Sequence, residues 1–320
     1  MRDKLTPMQP MRVLVTGASG FLGQALSRRL RAEGGLVTAL SRHAPKGAGE
    51  TWVQVHRYDR GDVPLAGQDC VVHLAARVHV MNEAVQDPLA EFRAANVDLT
   101  VNLARQAAWA GVRRYIFISS VKVNGEETAP GCPFTAADTP QPQDPYGVSK
   151  MEAEQALAAI AAQTGLEVVI IRPPLVYGPE VRANFGALLR AVARGVPLPL
   201  GAIHNRRSLV ALDNLVDLIV TCINHPKAAG QVWMVSDGED LSTPELIRHT
   251  ARAMGRSARL VDVPVWLLEI FGKLTGKSSA VQRLCGNLQV DISKTEAVLG
   301  WKPPVGVDEG LRRAVAQWRK

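Results

Sequence analysis

Short apolar runs alternate with longer amphipathic segments through the first half of the chain. The runs typical of buried strands are MRVLVTG, LVTALSR, TWVQVHR, CVVHLAA, RYIFISS and EVVIIRP. Between them lie segments with apolar residues at helical spacing, the longest being FLGQALSRRLRAEG, PLAEFRAANVDLTVNLARQAAWAG and DPYGVSKMEAEQALAAIAAQTG. This alternation predicts a doubly wound α/β fold, in which helices cover both faces of a parallel sheet.

The pattern changes after Pro173, where prolines and glycines cluster in RPPLVYGP, GVPLPLG and WKPPVG. Helical and strand-like segments are mixed there, which predicts a smaller, mixed α/β lobe. We expect a main domain of residues 1–174 plus 206–235 and a lobe of residues 175–205 and 236–320. The lobe would pack over the carboxyl ends of the strands, where ligands of open α/β sheets bind.

Composition and charge limit the classes of function. The chain has 320 residues, a net charge of +7 and 47% hydrophobic residues, as expected of a globular protein with a core. Its basic residues are scattered rather than gathered in one block. A solvated basic surface is therefore favoured over a nucleic-acid site, and we expect no nucleic-acid partner.

Cysteine spacing and hydropathy bear on the compartment. The four cysteines are far apart and show no CxxC spacing, which argues against a zinc site or a disulfide framework and fits a reducing compartment. No apolar stretch is long enough for a transmembrane helix, and the first ten residues lack the apolar core of a signal peptide. We expect a cytoplasmic protein without bound metal and without membrane insertion.

A glycine-rich turn, TGASGFLG, joins the first predicted strand to the first predicted helix. Gly17 would permit the tight turn, Gly20 the approach of a pyrophosphate, and Gly23 the close packing of the helix on the sheet. The position of the turn after the first strand favours dinucleotide binding over a purely structural turn. The residues expected at the cofactor here are Gly17, Ser19, Gly20, Phe21, Leu22 and Gly23.

The end of the second predicted strand bears on the choice between NAD and NADP(H). NAD sites usually carry Asp or Glu there to bind the ribose hydroxyls, whereas this chain has Ser41 and Arg42. A guanidinium suits a 2′-phosphate. The sequence therefore favours NADP(H), and NAD(H) stays open.

Tyr146 and Lys150 lie four residues apart at the start of a predicted helix, so their side chains share one face. A free phenol titrates near pH ~10, and a neighbouring ammonium would help it to exchange a proton at neutral pH. Ser120 stands at the end of the fifth predicted strand. Together with the glycine turn, these residues are unlikely to coincide by chance.

At this point the chain resembles the extended short-chain dehydrogenase/reductase family, and more narrowly its nucleotide-sugar epimerases and reductases. The motifs that carry the resemblance are TGASGFLG, HLAA, Asn96, SSVKVNG, PYGVSK, RPPLVYGP, RRSLVALDN and DISKTEAVLGWKP. They follow the family's order over nearly the whole chain. The resemblance implies a Rossmann-type domain, a nucleotide-sugar-binding lobe and a homodimer through the helices that begin near Pro88 and Tyr146.

The resemblance also implies roles for individual residues. Ser120 and Tyr146 would bind the oxygen at the reacting carbon, and Lys150 would hold the nicotinamide ribose and tune the phenol. Further cofactor contacts would come from Asp59, Arg60, Leu74, Ala75, Ala76, Asn96 and Pro173. The UDP-sugar would meet Ser120, Lys122, Asn184, Arg206 and Arg283, because two guanidiniums suit a diphosphate.

The turn after Ser120 distinguishes reactions within the family. Dehydratases resemble one another in an acidic pair there, whereas this chain has Val121 and Lys122, which cannot act as carboxylate acids or bases. Asn124 and Leu175 also depart from the pattern of many 4-epimerases. Asn124 is interpreted as a turn former that tolerates unusual backbone angles before Gly125.

The preferred hypothesis from the sequence is a bacterial UDP-sugar 4-ketoreductase of O-antigen or capsule synthesis. It would use NADPH to reduce UDP-2-acetamido-2,6-dideoxy-hexos-4-ulose to UDP-N-acetylquinovosamine or UDP-N-acetylfucosamine. A UDP-hexose 4-epimerase with tightly bound NAD and a non-catalytic NADP(H)-sensing or scaffold protein are the alternatives. His73 is interpreted as a strand-end histidine with satisfied hydrogen bonds rather than a metal ligand.

Overall fold

The computed structural model describes residues 10–44, 51–55, 63–78, 87–181 and 183–316. Internal contacts divide the chain into two compact units. The first unit extends through Ile118 and adds Glu152–Ile170 and Ala228–Gln231. The second comprises Ser119–Met151, Ile171–Lys227 and the described residues from Val232 onward. The predicted division into a cofactor domain and a sugar lobe concerns ligands and stays a prediction.

The strands form a seven-stranded sheet and a three-stranded sheet. In chain order they are β1 Arg12–Thr16, β2 Leu36–Ser41, β3 Trp52–Gln54, β4 Cys70–His73, β5 Arg114–Ile118, β6 Glu167–Arg172, β7 Leu175–Tyr177, β8 Arg207–Ala211, β9 Gln231–Met234 and β10 Asp240–Leu241. The large sheet has the order β3-β2-β1-β4-β5-β6-β9. β1 pairs in parallel with β2 and β4. The predicted α/β class is therefore confirmed.

The small sheet and most of the later helices belong to the second unit. The sheet has the order β10-β8-β7, with β10 antiparallel and β7 parallel to β8, so it is mixed as predicted. Its core is apolar and includes Tyr177, Phe185, Leu189, Leu209 and Leu311, each at most 3% exposed. This packing gives the unit an interior of its own.

The helices are α1 Phe21–Ala32, α2 Pro88–Arg93, α3 Leu99–Trp109, α4 Pro145–Thr164, α5 Ala183–Ala193, α6 Leu212–Asn224, α7 Thr243–Ala253, α8 Val265–Leu274, α9 Ser278–Cys285, α10 Ser293–Leu299 and α11 Val307–Ala314. None of the described helices is long and apolar enough to cross a membrane.

The long helix predicted after Pro88 is interrupted. A π-helical stretch, Ala94–Asp98, separates α2 from α3. Within it, Asn96 is buried and bonds through both amide atoms to the backbone of Arg77. A π-bulge adds a residue to one turn and so re-aims a side chain, which the apolar periodicity of the segment does not reveal.

Candidate active site

The glycine turn after β1 has the geometry of a phosphate cradle. Gly17 has a φ of +65°, and a Cβ on it would lie 2.9 Å from the backbone nitrogen of Ala75. A Cβ on Gly23 would lie 2.3 Å from the carbonyl oxygen of Gly17. Neither position could carry a side chain without a shift of backbone. The turn can therefore present its backbone closely to a ligand.

The amino terminus of α1 fits an anion. Gly20 is its N-cap, so no side chain caps the first amides, and the first turn has no acidic residue. The first N–H groups and the positive end of the helix dipole are thus available to a pyrophosphate. Ser19 lies in the same turn, and its carbonyl oxygen accepts from Gln24.

Thr16 is a site residue that the sequence analysis missed. Its Oγ1 accepts from the backbone nitrogens of Leu74 and Ala75, both at 3.1 Å, and so fixes the turn after β4 beside the end of β1. A threonine as the last residue of the strand, directly before the first glycine, was the available signal. This contact positions the predicted cofactor-lining residues Leu74, Ala75 and Ala76.

His73 is buried with both ring nitrogens bonded. Nδ1 lies 2.8 Å from Thr16 Oγ1, and Nε2 lies 3.0 Å from Thr100 Oγ1. Thr100 donates to the carbonyl oxygen of Asn96 at 2.7 Å, so it accepts from Nε2–H of the imidazole. His73 is therefore the neutral Nε2–H tautomer in a closed chain of hydrogen bonds. The described residues include no cluster suited to a metal ion.

Ser41 and Arg42, at the end of β2, differ in their exposure to solvent. Ser41 is buried, and its hydroxyl donates to the carbonyl oxygen of His43 at 2.5 Å while it accepts from Trp52 at 2.9 Å. Arg42 is exposed after the strand. The Ser41 hydroxyl is thus occupied within the protein, and the guanidinium of Arg42 is the group that can reach a ligand. Asp59 and Arg60 lie outside the described residues.

The second unit brings together Ser120, Tyr146 and Lys150. Ser120 follows β5, Tyr146 stands in the first turn of α4, and their side chains are hydrogen-bonded. Lys150 is 2% exposed, and its Nζ lies 6.0 Å from the centroid of the Tyr146 ring. Burial raises the pKa of Tyr146, as does Asp144, while the bond to Ser120 lowers it. The net pKa is above its usual value, so in the protein alone the phenol carries its proton at neutral pH.

Lys122 is held within the protein. Its ammonium donates to Glu126 at 2.8 Å and to Asp144. Burial lowers the pKa of Lys122, but these hydrogen bonds outweigh it and leave the pKa above its usual value. Asp144 was missed by the sequence analysis, although an aspartate directly before a proline at a helix start is a typical N-cap signal.

Asn124 has a different role from the one predicted. Its φ of −73° and ψ of −41° are ordinary helical values, so no unusual backbone angle requires asparagine here. It is buried, donates to the carbonyl oxygen of Thr135 at 2.9 Å and accepts from Arg172 at 3.0 Å. The asparagine is therefore a hydrogen-bonding link beneath the turn that follows Ser120.

The same turn is tied to the strand beside it. The backbone nitrogen of Val121 donates to the carbonyl oxygen of Pro173 at 3.0 Å. This bond brings the predicted nicotinamide neighbour Pro173 close to the turn that carries Ser120.

The three predicted nucleotide-binding residues are spread over the second unit. Asn184 lies in α5. Arg206 is exposed, and its guanidinium bonds to the carbonyl oxygen of Asp240 at 3.2 Å. Arg283 is exposed on α9 and is near enough to affect Arg207, whose pKa is lowered by burial and by Arg283 against the opposing Glu127. Arg207 is a further basic residue of this region that the sequence analysis did not single out.

A known protein family matches the larger part of the chain. The NAD dependent epimerase/dehydratase family matches residues 13–236. The chain belongs to this family, and the predicted family resemblance and enzymatic nature are thereby confirmed. The family description names NAD, so the comparison supports NAD(H), which the sequence analysis left open, rather than the NADP(H) that it favoured.

Individual proteins are similar to this chain over nearly its whole length. UDP-glucose 4-epimerase of Vibrio cholerae is 50% identical over 309 residues, covering 95% of this chain and 94% of that protein. GDP-6-deoxy-D-mannose reductase of Pseudomonas aeruginosa is 28% identical and covers 96% of this chain and 97% of its own. The crystal structure of UDP-glucuronic acid 4-epimerase from Bacillus cereus with NAD has a TM-score of 0.76 at 22% identity and covers 97% and 96% of the two chains.

Proposed function

We propose that the protein is a UDP-hexose 4-epimerase that uses NAD. The observation that carries the proposal is the 50% identity to UDP-glucose 4-epimerase of Vibrio cholerae across 95% of the chain. The proposal replaces the 4-ketoreductase that the sequence favoured. The hydroxyl, phenol and ammonium of Ser120, Tyr146 and Lys150 suit a reversible oxidation of an alcohol, which both reactions require.

The first unit fits NAD by its own geometry. The Gly17 turn and the uncapped amino terminus of α1 would hold the pyrophosphate, and the turn at Leu74–Ala76 would line the dinucleotide. Asn96 fixes the Arg77 backbone next to that turn. When bound, NAD accepts a hydride from C4 of the sugar and later returns it.

Three residues of the second unit would manage the proton. As a phenolate, Tyr146 would take the proton of the C4 hydroxyl in the oxidation, and as a phenol it would give the proton back in the reduction. Ser120 donates to the same oxygen and holds it near the phenol. Lys150, whose Nζ lies 6.0 Å from the centroid of the Tyr146 ring, would place a positive charge that favours the phenolate against the effects of burial and of Asp144 on its pKa.

The departure at Asn124 no longer counts against an epimerase, whereas nothing in the structure explains the departure at Leu175. Asn124 bonds to Thr135 and Arg172, so its identity reflects support of the Ser120 turn and not the choice of sugar. Leu175 is 44% exposed in β7. Arg206, Arg283 and Asn184 remain the proposed contacts of the UDP moiety. Lys122, held by Asp144, is proposed to position Ser120, with a direct contact to the sugar as the alternative.

The decisive experiment measures epimerisation without added cofactor. The purified protein is incubated with UDP-glucose, UDP-galactose, UDP-N-acetylglucosamine or UDP-N-acetylgalactosamine, and the anomeric protons are followed by NMR. We expect either the hexose pair or the N-acetyl pair to interconvert, and the protein to carry NAD after denaturation. Failure of every pair to interconvert, with NAD added as well, would refute the proposal.

A 4-ketoreductase is the second candidate, and one observation favours it. Exposed Arg42 follows β2, and neither residue beside it in the chain is a carboxylate, which suits a 2′-phosphate. Its test is the absorbance of NADPH in the presence of a UDP-4-keto-6-deoxy-N-acetylhexosamine. Stoichiometric loss of absorbance supports the reductase. Inertness in both experiments with tight NADP(H) binding supports the sensing protein.

A further inference from the structure

One face of α8 is apolar and exposed. Trp266, Leu267, Ile270, Phe271 and Leu274 are between 41% and 81% exposed. At 3.6 residues per turn these five positions fall within an arc of about 140°. The exposed apolar side chains of this helix therefore form a continuous stripe, which we call the α8 face, rather than scattered single residues.

The opposite side of α8 is packed. Gly272 is buried there, and a Cβ on it would lie 2.8 Å from Cγ2 of Val281 in α9. α9 thus approaches the helix where the side chain is smallest. This contact limits the rotation of α8 about its axis. The helix therefore keeps the α8 face turned away from α9.

Exposed apolar stripes of this size mark interaction sites in soluble proteins. A second copy of the chain is a poor occupant of the α8 face by itself. A stable dimer interface contains roughly 20–30 residues per partner, whereas the α8 face has five side chains. A lipid surface needs no matching partner surface, because lipids close around the stripe.

The charges beside the α8 face suit an anionic surface. Lys273 and Lys277 are exposed at the carboxyl end of α8, next to Leu274, and Glu269 is the acidic residue of the helix. The chain as a whole carries a charge of +7. Aromatic and aliphatic side chains on one face with lysines at its border are typical of helices that lie in the headgroup region.

We infer that α8 docks the protein on the surface of a bilayer that contains anionic lipid. The helix lies in the plane of the membrane with Trp266, Phe271 and Leu274 inserted below the headgroups. Its ten residues are half of the ~20 that a spanning helix needs, so the protein is attached peripherally. This inference does not depend on the identity of the sugar, because α8 contributes none of the residues proposed to bind it.

Co-sedimentation with vesicles tests the inference. The full-length protein is mixed with vesicles of phosphatidylcholine alone, or with about one third phosphatidylglycerol, at low and high salt. We expect the protein to sediment with the anionic vesicles and to be released in part by salt. The double variant Trp266→Ser/Phe271→Ser should bind about tenfold more weakly or worse, because it loses the two aromatic anchors.

Two controls keep the result interpretable. Trp109→Ser removes an aromatic residue that is 82% exposed at the end of α3, and it should bind vesicles like the wild type. Thermal unfolding and sugar turnover of the double variant should match the wild type. Wild-type protein that stays in the supernatant with anionic vesicles overturns the inference. A double variant that sediments as well as the wild type also overturns it. If the wild type is a dimer and the double variant is a monomer, the α8 face binds a second copy of the chain, and the inference is wrong.

Discussion

The ammonium of Lys122 and the carboxylate of Asp144 are joined by a hydrogen bond, and this pair connects the two turns that carry Ser120 and Tyr146, the proposed catalytic residues. The other carboxylate oxygen of Asp144 accepts from the backbone nitrogen of Gly147 at 2.6 Å and so caps α4, next to Tyr146. On the other side, the backbone nitrogen of Lys122 donates to Ser120 Oγ at 3.2 Å. Lys122 therefore fixes Ser120 relative to Tyr146.

Replacement of Lys122 by methionine should lower kcat about tenfold or more, because the distance between the two hydroxyls is no longer fixed. KM for the sugar should stay within about twofold if the ammonium is a positioning group. The measurement is steady-state epimerisation, with Lys302→Met as the control at an exposed lysine. A large rise in KM with kcat retained would instead support the direct sugar contact that the sequence suggested.

The phenol of Tyr146 should be essential for proton transfer. Tyr146→Phe keeps the ring but removes the group that exchanges the proton, and the loss of a general acid–base is worth ~10²–10⁴ in rate. We expect kcat to fall in that range while the melting temperature and NAD content are unchanged. Turnover within about threefold of the wild type would assign the proton transfer to another residue.

Arg42 should decide how the protein treats NADP(H). Arg42→Asp replaces a guanidinium by a carboxylate, which would repel a 2′-phosphate and accept from ribose hydroxyls. We expect the affinity for NADP(H) to fall by about tenfold or more and the affinity for NAD to hold or increase. Isothermal titration of both cofactors checks this, and Arg28→Asp, at an exposed arginine of α1, is the control. Equal losses for both cofactors would remove Arg42 from the 2′ position.

Tyr177 should contribute to stability through Asp237. The Tyr177 hydroxyl donates to Asp237 at 2.7 Å, and the backbone nitrogen of Ala211 and the amide of Asn214 donate to the same buried carboxylate. Tyr177→Phe removes one of three donors and should lower the free energy of unfolding by about 1–3 kcal/mol. Urea unfolding measures this, and Glu269→Gln at an exposed carboxylate should change it far less. A neutral result would mean that water replaces the phenol.

Cysteine reactivity should separate the four thiols. Cys132 is exposed, whereas burial raises the pKa of Cys70 from 9.0 to about 12. At about pH 8 the native protein should show one fast thiol towards a disulfide reagent, and Cys132→Ser should abolish that phase. Rapid modification of Cys70 in the native state would contradict the buried position of β4.

The Cys70 thiol should affect the stability of the fold at alkaline pH. Below pH 9 Cys70 is protonated in both the folded and the unfolded chain, and it has no effect. As the pH rises from 9.0 towards 12, the unfolded thiol ionises while the folded one stays protonated, so stability falls. Cys70→Ala should flatten the decline of the unfolding free energy in this window. The cavity that it leaves lowers stability at every pH and does not alter that slope.

The sequence by itself determined the architecture and the family. Strand and helix periods alternate over the first 173 residues, and each apolar run became a strand of the large sheet. The central strands β4 and β5 are buried on both faces, as continuous apolar runs predict, whereas β3 at the edge is only partly buried. The glycine turn, the serine at the end of β5 and the YxxxK spacing are local features, so their identity could be found without coordinates. They pointed to an enzyme of the extended short-chain dehydrogenase/reductase type.

Only the tertiary structure decided which side chains are already engaged. Lys122 was named from its place after Ser120, and the sequence could not show that its ammonium meets a carboxylate 22 positions away. Asn124 was assigned to a turn, but its amide bonds to Arg172, 48 positions away. Local patterns carry no information on such partners, because hydrogen bonds between distant segments arise from packing. For the same physical reason, the outward rotation of α8 became visible only once Gly272 was placed against Val281.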